Sequence, residues 1–186
     1  MPTPILTTSA YVVHNLGLAA GFGGSLFGKA ALNPSAKFVS DKTERGKVVN
    51  AAWNGYNIIN ALGLGATAVT WLIGRSRISG RSISRQARQL VIAKDILMGA
   101  TLATGLVNLL GGGYLAKRAL KDGVPMESGN KATADAPRDV KTAARLVNVL
   151  GLVSLAGMAG LIGVSTWLDN MAGASGKWTL LARRLP

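Results

Sequence analysis

The chain has 186 residues, with 21 Lys and Arg against 8 Asp and Glu, 24 Gly, one His and no Cys, and a mean hydropathy of +0.29. Without Cys there is no disulfide scaffold, thiolate metal site or thiol nucleophile. A net charge of +13 would suit nucleic acid, but apolar stretches of around twenty residues alternate with short basic connectors, the pattern of a polytopic membrane protein.

Apolar stretches at about 11–32, 52–73, 96–115 and 146–168 predict an all-α integral membrane protein, with four transmembrane helices packed as a bundle in a single domain over 1–186. The first stretch, YVVHNLGLAAGFGGSLFGKAAL, is weakly hydrophobic because Gly and Ala stand where Leu and Ile are usual. Nothing before Lys29 is charged except the amino terminus, so this stretch reads as a retained helix rather than a signal peptide. Gly17, Gly21, Gly24 and Gly28 recur at spacings of 4, 3 and 4, which keeps them on one narrow face at about 100° per residue. A partner helix can approach closely there, either within the bundle or from another copy or subunit. His14 is the one side chain whose ordinary pKa lies near neutrality. Beside Asn15 at a membrane edge, it reads as a hydrogen-bonding anchor rather than a catalyst.

The second stretch carries Asn50, Asn54, Asn57 and Asn60 at spacings of 4, 3 and 3, within an arc of about 120°. An unsatisfied buried amide costs about 1 to 3 kcal/mol, so the stripe is expected to avoid lipid and meet polar partners. Candidate partners are His14, Asn15, Asn108 and Asn148. The stripe can serve as an interhelical amide network, as a hydrated path or site for a small polar solute, or as a contact to another protein. Trp53 and Trp71 lie at the two ends of this stretch, Trp167 ends the fourth and Trp178 sits in the tail. All four are expected to anchor at the headgroup level.

Lys94 and Asp95 start the third helix, with Asp95 expected to pair with a base such as Arg88 rather than bind a cation, and the helix is expected to stop at Gly111 to Gly113. The connector 116–145, containing DGVPMESGNKATADAP, reads as a mobile basic loop. In the fourth stretch Gly157, Gly160 and Gly163 form a looser small-residue set. Val49-Asn50 and Thr70-Trp71-Leu72 match Val147-Asn148 and Thr166-Trp167-Leu168 with a two-residue gap, compatible with two repeated helical hairpins. The tail 172–186, with Leu180, Leu181, Arg183 and Arg184 around its Trp, reads either as an interfacial segment or as a frayed end.

All basic residues lie outside the apolar centres, twelve counted with the first and third connectors, Lys29 among them, and nine with the second connector and tail. The positive-inside rule is therefore nearly balanced and leaves orientation open. The sequence offers no paired intramembrane carboxylates, no Ser with a His and acid in suggestive context and no His/Cys cluster at metal spacing. GFGGSLFGK lacks the P-loop spacing. No catalytic, cofactor-binding or metal-binding residue is expected, and the chain does not read as an enzyme. Basic connectors without interleaved aromatics argue against nucleic acid.

The expected partners are membrane lipids and other membrane subunits or a second copy. A Gly-rich first span, Pro34 soon after it and Asn residues opening the second resemble small four-helix bacterial membrane proteins, which implies a bacterial cytoplasmic membrane. No residue role is carried over from that resemblance. Three functions fit: an accessory or structural subunit or homo-oligomer acting by helix packing, a small-solute or ion transporter or pore lined by the Asn stripe, or a lipid-interacting protein.

Overall fold

The computed structural model describes residues 4–78 and 84–174, so the expected interfacial tail with Trp178 lies outside the described residues. Helix α1 spans Pro4–Phe27 and continues through a wide turn at Gly28–Leu32, where the Asn33 N–H donates to the Gly28 carbonyl five residues back. Two short helical turns, Asn33–Ser35 and Ala36–Phe38, then lead to α2, Lys42–Ile78. Helix α3 covers Arg85–Asp122 and α4 covers Arg138–Ala174, with a small hairpin of β1 (Met126–Ser128) and β2 (Lys131–Ala132) between them.

Local chemistry sets the helix ends. Asp41 Oδ1 accepts from the Glu44 N–H at 2.8 Å, capping α2, and Ser84 Oγ accepts from the Ala87 N–H at 3.2 Å, capping α3. Helix α3 does not stop at Gly111 to Gly113. It ends at Gly123, whose positive φ of 64° favours glycine and breaks the helical path. Glycine costs a helix interior about 1 kcal/mol relative to Ala, but here it buys proximity: a Cβ on Gly112 would stand 2.4 Å from Asn57 Nδ2, and one on Gly111 would stand 2.7 Å from Val147 Cγ2.

Helix α1 packs against α2 and α3 against α4, and contacts of α2 with α3 and of α1 with α4 close the bundle. Three of the four long helices, α2, α3 and α4, are long and apolar enough to cross a membrane. Helix α1 is not among them, being diluted by Gly, Ser, Thr and Asn. The exterior is apolar, with Leu16, Leu62, Leu72, Ile96 and Leu110 exposed, whereas Asn57, Asn60, Thr67, Thr101 and Ser154 are buried. This inverts the usual distribution of a water-soluble bundle.

Two apolar clusters lie toward opposite ends. One joins Leu18, Ala68, Trp71, Val91, Met98 and Leu161. The other contains Leu115, Ala119, Val124, Met126, Val140 and Ala144. The second cluster alters the reading of the 116–145 connector. That stretch is helix up to Asp122 and again from Arg138, and Val124, Met126, Ala132 and Ala136 between them are buried in the cluster. Strands β1 and β2 pair antiparallel across a Gly129-Asn130 turn, with Met126 opposite Ala132 and Ser128 opposite Lys131. A Gly-Asn dipeptide between short strands is a recognised hairpin signal.

Candidate functional site

Beneath the hairpin, the four helices surround a partly open cavity of about 80 Å³, whose wall combines asparagine amides with apolar side chains such as Val49, Leu115, Met126 and Val147. That volume holds a few waters. The Asn stripe of α2 supplies three members. Asn50, Asn57 and Asn60 are buried and line the cavity, while Asn54, at the edge of the arc, is exposed on the outer surface. Asn50 is satisfied within its own helix, donating to the Gly46 carbonyl at 2.8 Å. The Tyr56 hydroxyl donates to the Gly21 carbonyl at 2.5 Å, with Asn60 Oδ1 beside it at 3.4 Å.

Helix α3 brings Asn108, 8% exposed, and α4 brings Asn148 and Ser154, the latter 3% exposed. Asn108 Oδ1 and Ser154 Oγ have no hydrogen-bond partner among the described residues. The cation in the lining is Lys29, which the wide turn after α1 directs toward α4. Its Nζ donates to the Asn148 carbonyl and to Asn148 Oδ1, both at 3.3 Å.

The glycines of α1 create the room for this arrangement. A Cβ on Gly17 would stand 2.3 Å from the Gly63 carbonyl oxygen, and one on Gly24 or Gly28 would penetrate the ring of Tyr56 or Trp53. Gly21 faces Met158 Sδ of α4 and Asn60 Oδ1 of α2. All four glycines expected as a packing surface thus meet neighbours within the same chain.

The hairpin covers one end of the cavity, to whose lining Met126, Gly129 and Asn130 contribute. Arg45, 8% exposed, donates to the carbonyls of Val39 (2.8 Å), Glu127 (2.7 Å) and Met126 (3.1 Å). One guanidinium therefore joins the 36–41 connector, α2 and β1. Gly46 lets the Val124 carbonyl approach α2, and the Gly129 N–H donates to the Asn33 carbonyl at 3.2 Å. Asn33 Oδ1 accepts from Trp53 Nε1 at 2.8 Å. Outside the cap, Lys42 Nζ meets Glu127 Oε1 at 2.6 Å, and this hydrogen bond holds the Glu127 carboxyl below its ordinary pKa.

The remaining expected residues lie away from the cavity or at its margin. His14 is buried at a distance from it, with Nδ1 at 3.1 Å from both the Thr67 carbonyl and Thr70 Oγ1, and Asn15 is exposed. Trp53 is half-buried, edge-to-face with Tyr56 at 5.7 Å. Trp167 is exposed. Trp71 differs from the expected headgroup anchor: it is 8% exposed and turned inward because Nε1 donates to Asp95 Oδ1 at 2.8 Å. The partner base of Asp95 is Arg75, at 3.1 Å, rather than Arg88. These groups border a second, open groove of about 630 Å³ between α2 and α3 at the far end of the bundle, where the Lys94 ammonium stands 4.2 Å from the Trp71 ring centroid.

Sequence reasoning passed over Lys29, Asn33, Arg45, Tyr56 and Ser154. For Lys29 the available signal was a charge falling inside an apolar window, and for the cap it was the Gly129-Asn130 turn. Among the described residues, no group of three or more His, Cys, Asp or Glu is placed to hold a metal ion. The cavity can accept and donate hydrogen bonds to a small polar guest, with one positive charge at its wall. No protein family, curated protein or solved structure matches this chain.

Proposed function

We propose that the chain is a four-span membrane protein of transporter type that binds a small polar solute in the capped amide cavity. The observation that carries this reading is the pair Asn108 Oδ1 and Ser154 Oγ, buried in the cavity lining and without hydrogen-bond partners among the described residues. Buried polar groups in an apolar-jacketed bundle are expected to have partners, and a guest or water supplies them. Replacing Asn57 and Asn60 together by Leu should abolish solute flux into reconstituted vesicles while the purified protein keeps its helical content. Undiminished flux would remove the reading.

With four spans, the 36–41 connector and the hairpin would lie on one side of the membrane and Ser84, at the start of α3, on the other. Because the chain lacks Cys, single cysteines at Ser40, Ser84 and Ala134 can report this by labelling with an impermeant maleimide. Ser40→Cys and Ala134→Cys should label from one face and Ser84→Cys from the opposite face. A bacterial cytoplasmic membrane is the proposed location, on the sequence pattern alone, with lipids covering the exposed apolar faces.

A second reading is an accessory or structural subunit, or a homo-oligomer, acting by helix packing. It draws support from Gly55 of α2 and Gly99 of α3, which are exposed and have open space where a side chain would stand. A further helix could approach closely there. Native mass spectrometry of protein extracted from its own membrane tests this, and a stable monomer without co-purifying protein would count against it.

A further inference from the structure

We propose that the guest of the cavity is a small monovalent anion, of the size of chloride, nitrate or a short carboxylate; this rests on the solute-binding reading above. Lys29 is the charged side chain in the lining, and among the described residues no carboxylate lines the cavity. The chain has eight acids, and each has a partner elsewhere. At the capped end Asp41 accepts the Glu44 N–H, Glu44 meets Lys47, and Glu127 meets Lys42. Asp122 and Asp139 share Arg118, and Asp135 is held by Thr133. At the far end Asp95 meets Arg75, and Asp169 accepts from the Tyr11 hydroxyl.

The Lys29 ammonium is thus left with neutral oxygens of Asn148, both at 3.3 Å, longer than the usual charge-assisted bond. A half-buried cation in a low-dielectric bundle is stabilised by an opposite charge, and one unit of charge calls for a monoanion. The lining supplies further donors. The Ser154 hydroxyl has no partner among the described residues, and the Asn108 amide can turn its NH₂ end to the guest because its Oδ1 is unbonded. Gly151 keeps the approach to the ammonium open, since a Cβ there would stand 3.1 Å from Lys29 Nζ. At about 80 Å³ the space admits a guest of a few heavy atoms.

The test is the thermal midpoint of the detergent-purified full chain, titrated with sodium chloride, nitrate or formate at constant ionic strength. Sodium gluconate serves as the bulky balancing salt, and urea and formamide serve as neutral polar probes. The expected result is a saturable rise in midpoint with at least one small anion and none with gluconate. Lys29→Met should weaken the apparent affinity by about tenfold or more, as expected for losing a charged hydrogen-bond donor, while Lys29→Arg keeps the anion response.

If Lys29→Met does not fold, Ser154→Ala and Asn108→Leu provide the same comparison from the other helices. Saturable stabilisation by the neutral probes but not by anions would overturn the anion inference and leave the solute site standing. No response to either class would overturn both. An anion response unchanged in Lys29→Met and in the Asn108 and Ser154 variants would place the effect on the surface charge and overturn the inference.

Discussion

Two lysines enter this bundle, one toward each end, and the fold treats them differently. Lys94, at the open groove, is buried with its ammonium over the Trp71 ring, and the adjacent Asp95 binds Trp71 and Arg75. Each of these charges has a fixed partner from α2 or α3. Lys29, beneath the hairpin, meets neutral amide and carbonyl oxygens of Asn148 in the cavity wall. A closed electrostatic account serves stability, whereas an open one leaves room for a guest. The same residue type therefore marks a structural end and a candidate binding end.

The contrast can be broken at either end. The largest effect is expected from Arg45→Met, which removes the guanidinium that joins the connector, α2 and β1 and strands several buried carbonyls. The expected cost is about 3 kcal/mol, read as a fall in thermal midpoint. Proteolysis should become faster within 124–132, while the groove around Trp71 stays intact by Trp fluorescence. Asp95→Asn is the counterpart at the other end. It leaves Arg75 without its carboxylate, with an expected cost of about 1 kcal/mol for this partly exposed pair and no change in ligand response at the cavity.

Gly112→Ala sharpens the comparison from inside the cavity, because its Cβ would stand 2.4 Å from Asn57 Nδ2 and force that amide to move. A cost of about 1 kcal/mol together with a loss of solute response is expected. Loss of stability without loss of response would place Asn57 outside the site. The smallest effect is expected from Glu127. Its folded pKa lies below the ordinary 4.5 because of Lys42, so the stabilisation is present above that value and disappears as pH falls through the lower folded pKa. Acidification should loosen the hairpin, measured by proteolysis of its turn with an acid-active protease, and Glu127→Gln should remove that pH dependence.

The apolar windows 52–73, 96–115 and 146–168 lie within α2, α3 and α4, because sustained hydropathy over that length leaves few alternatives to a helix. Their ends were not legible in the same way. Helix α2 starts ten residues before its apolar window because Asp41 caps a polar stretch, and α3 runs through three glycines whose cost is offset by close contacts. The Asn stripe pointed to the cavity, but spacing alone could not say that Asn54 falls just outside the contact with α1 and α3. The inward turn of Trp71 was not legible either, because hydropathy does not show that Asp95, on another helix, accepts its N–H. The expected repeat fares unevenly as well. Asn50 and Asn148 both line the cavity, whereas Trp71 is buried and Trp167 is exposed.

Gly28 and Lys29 are consecutive, yet the first touches Trp53 of α2 and the second reaches Asn148 of α4. The wide turn that begins at Gly28 acts as a one-residue phase slip in an otherwise regular helix. It lets α1 run beside α2 for most of its length and then hand its cation to a different neighbour. Removing one residue from Ala30 to Leu32 would restore the regular phase and rotate the Asn33 turn by about 100° relative to α1. Lys29 and the Asn33–Trp53 contact could then no longer both keep their places, so the charged wall of the cavity and the cap are tied to the same single extra residue.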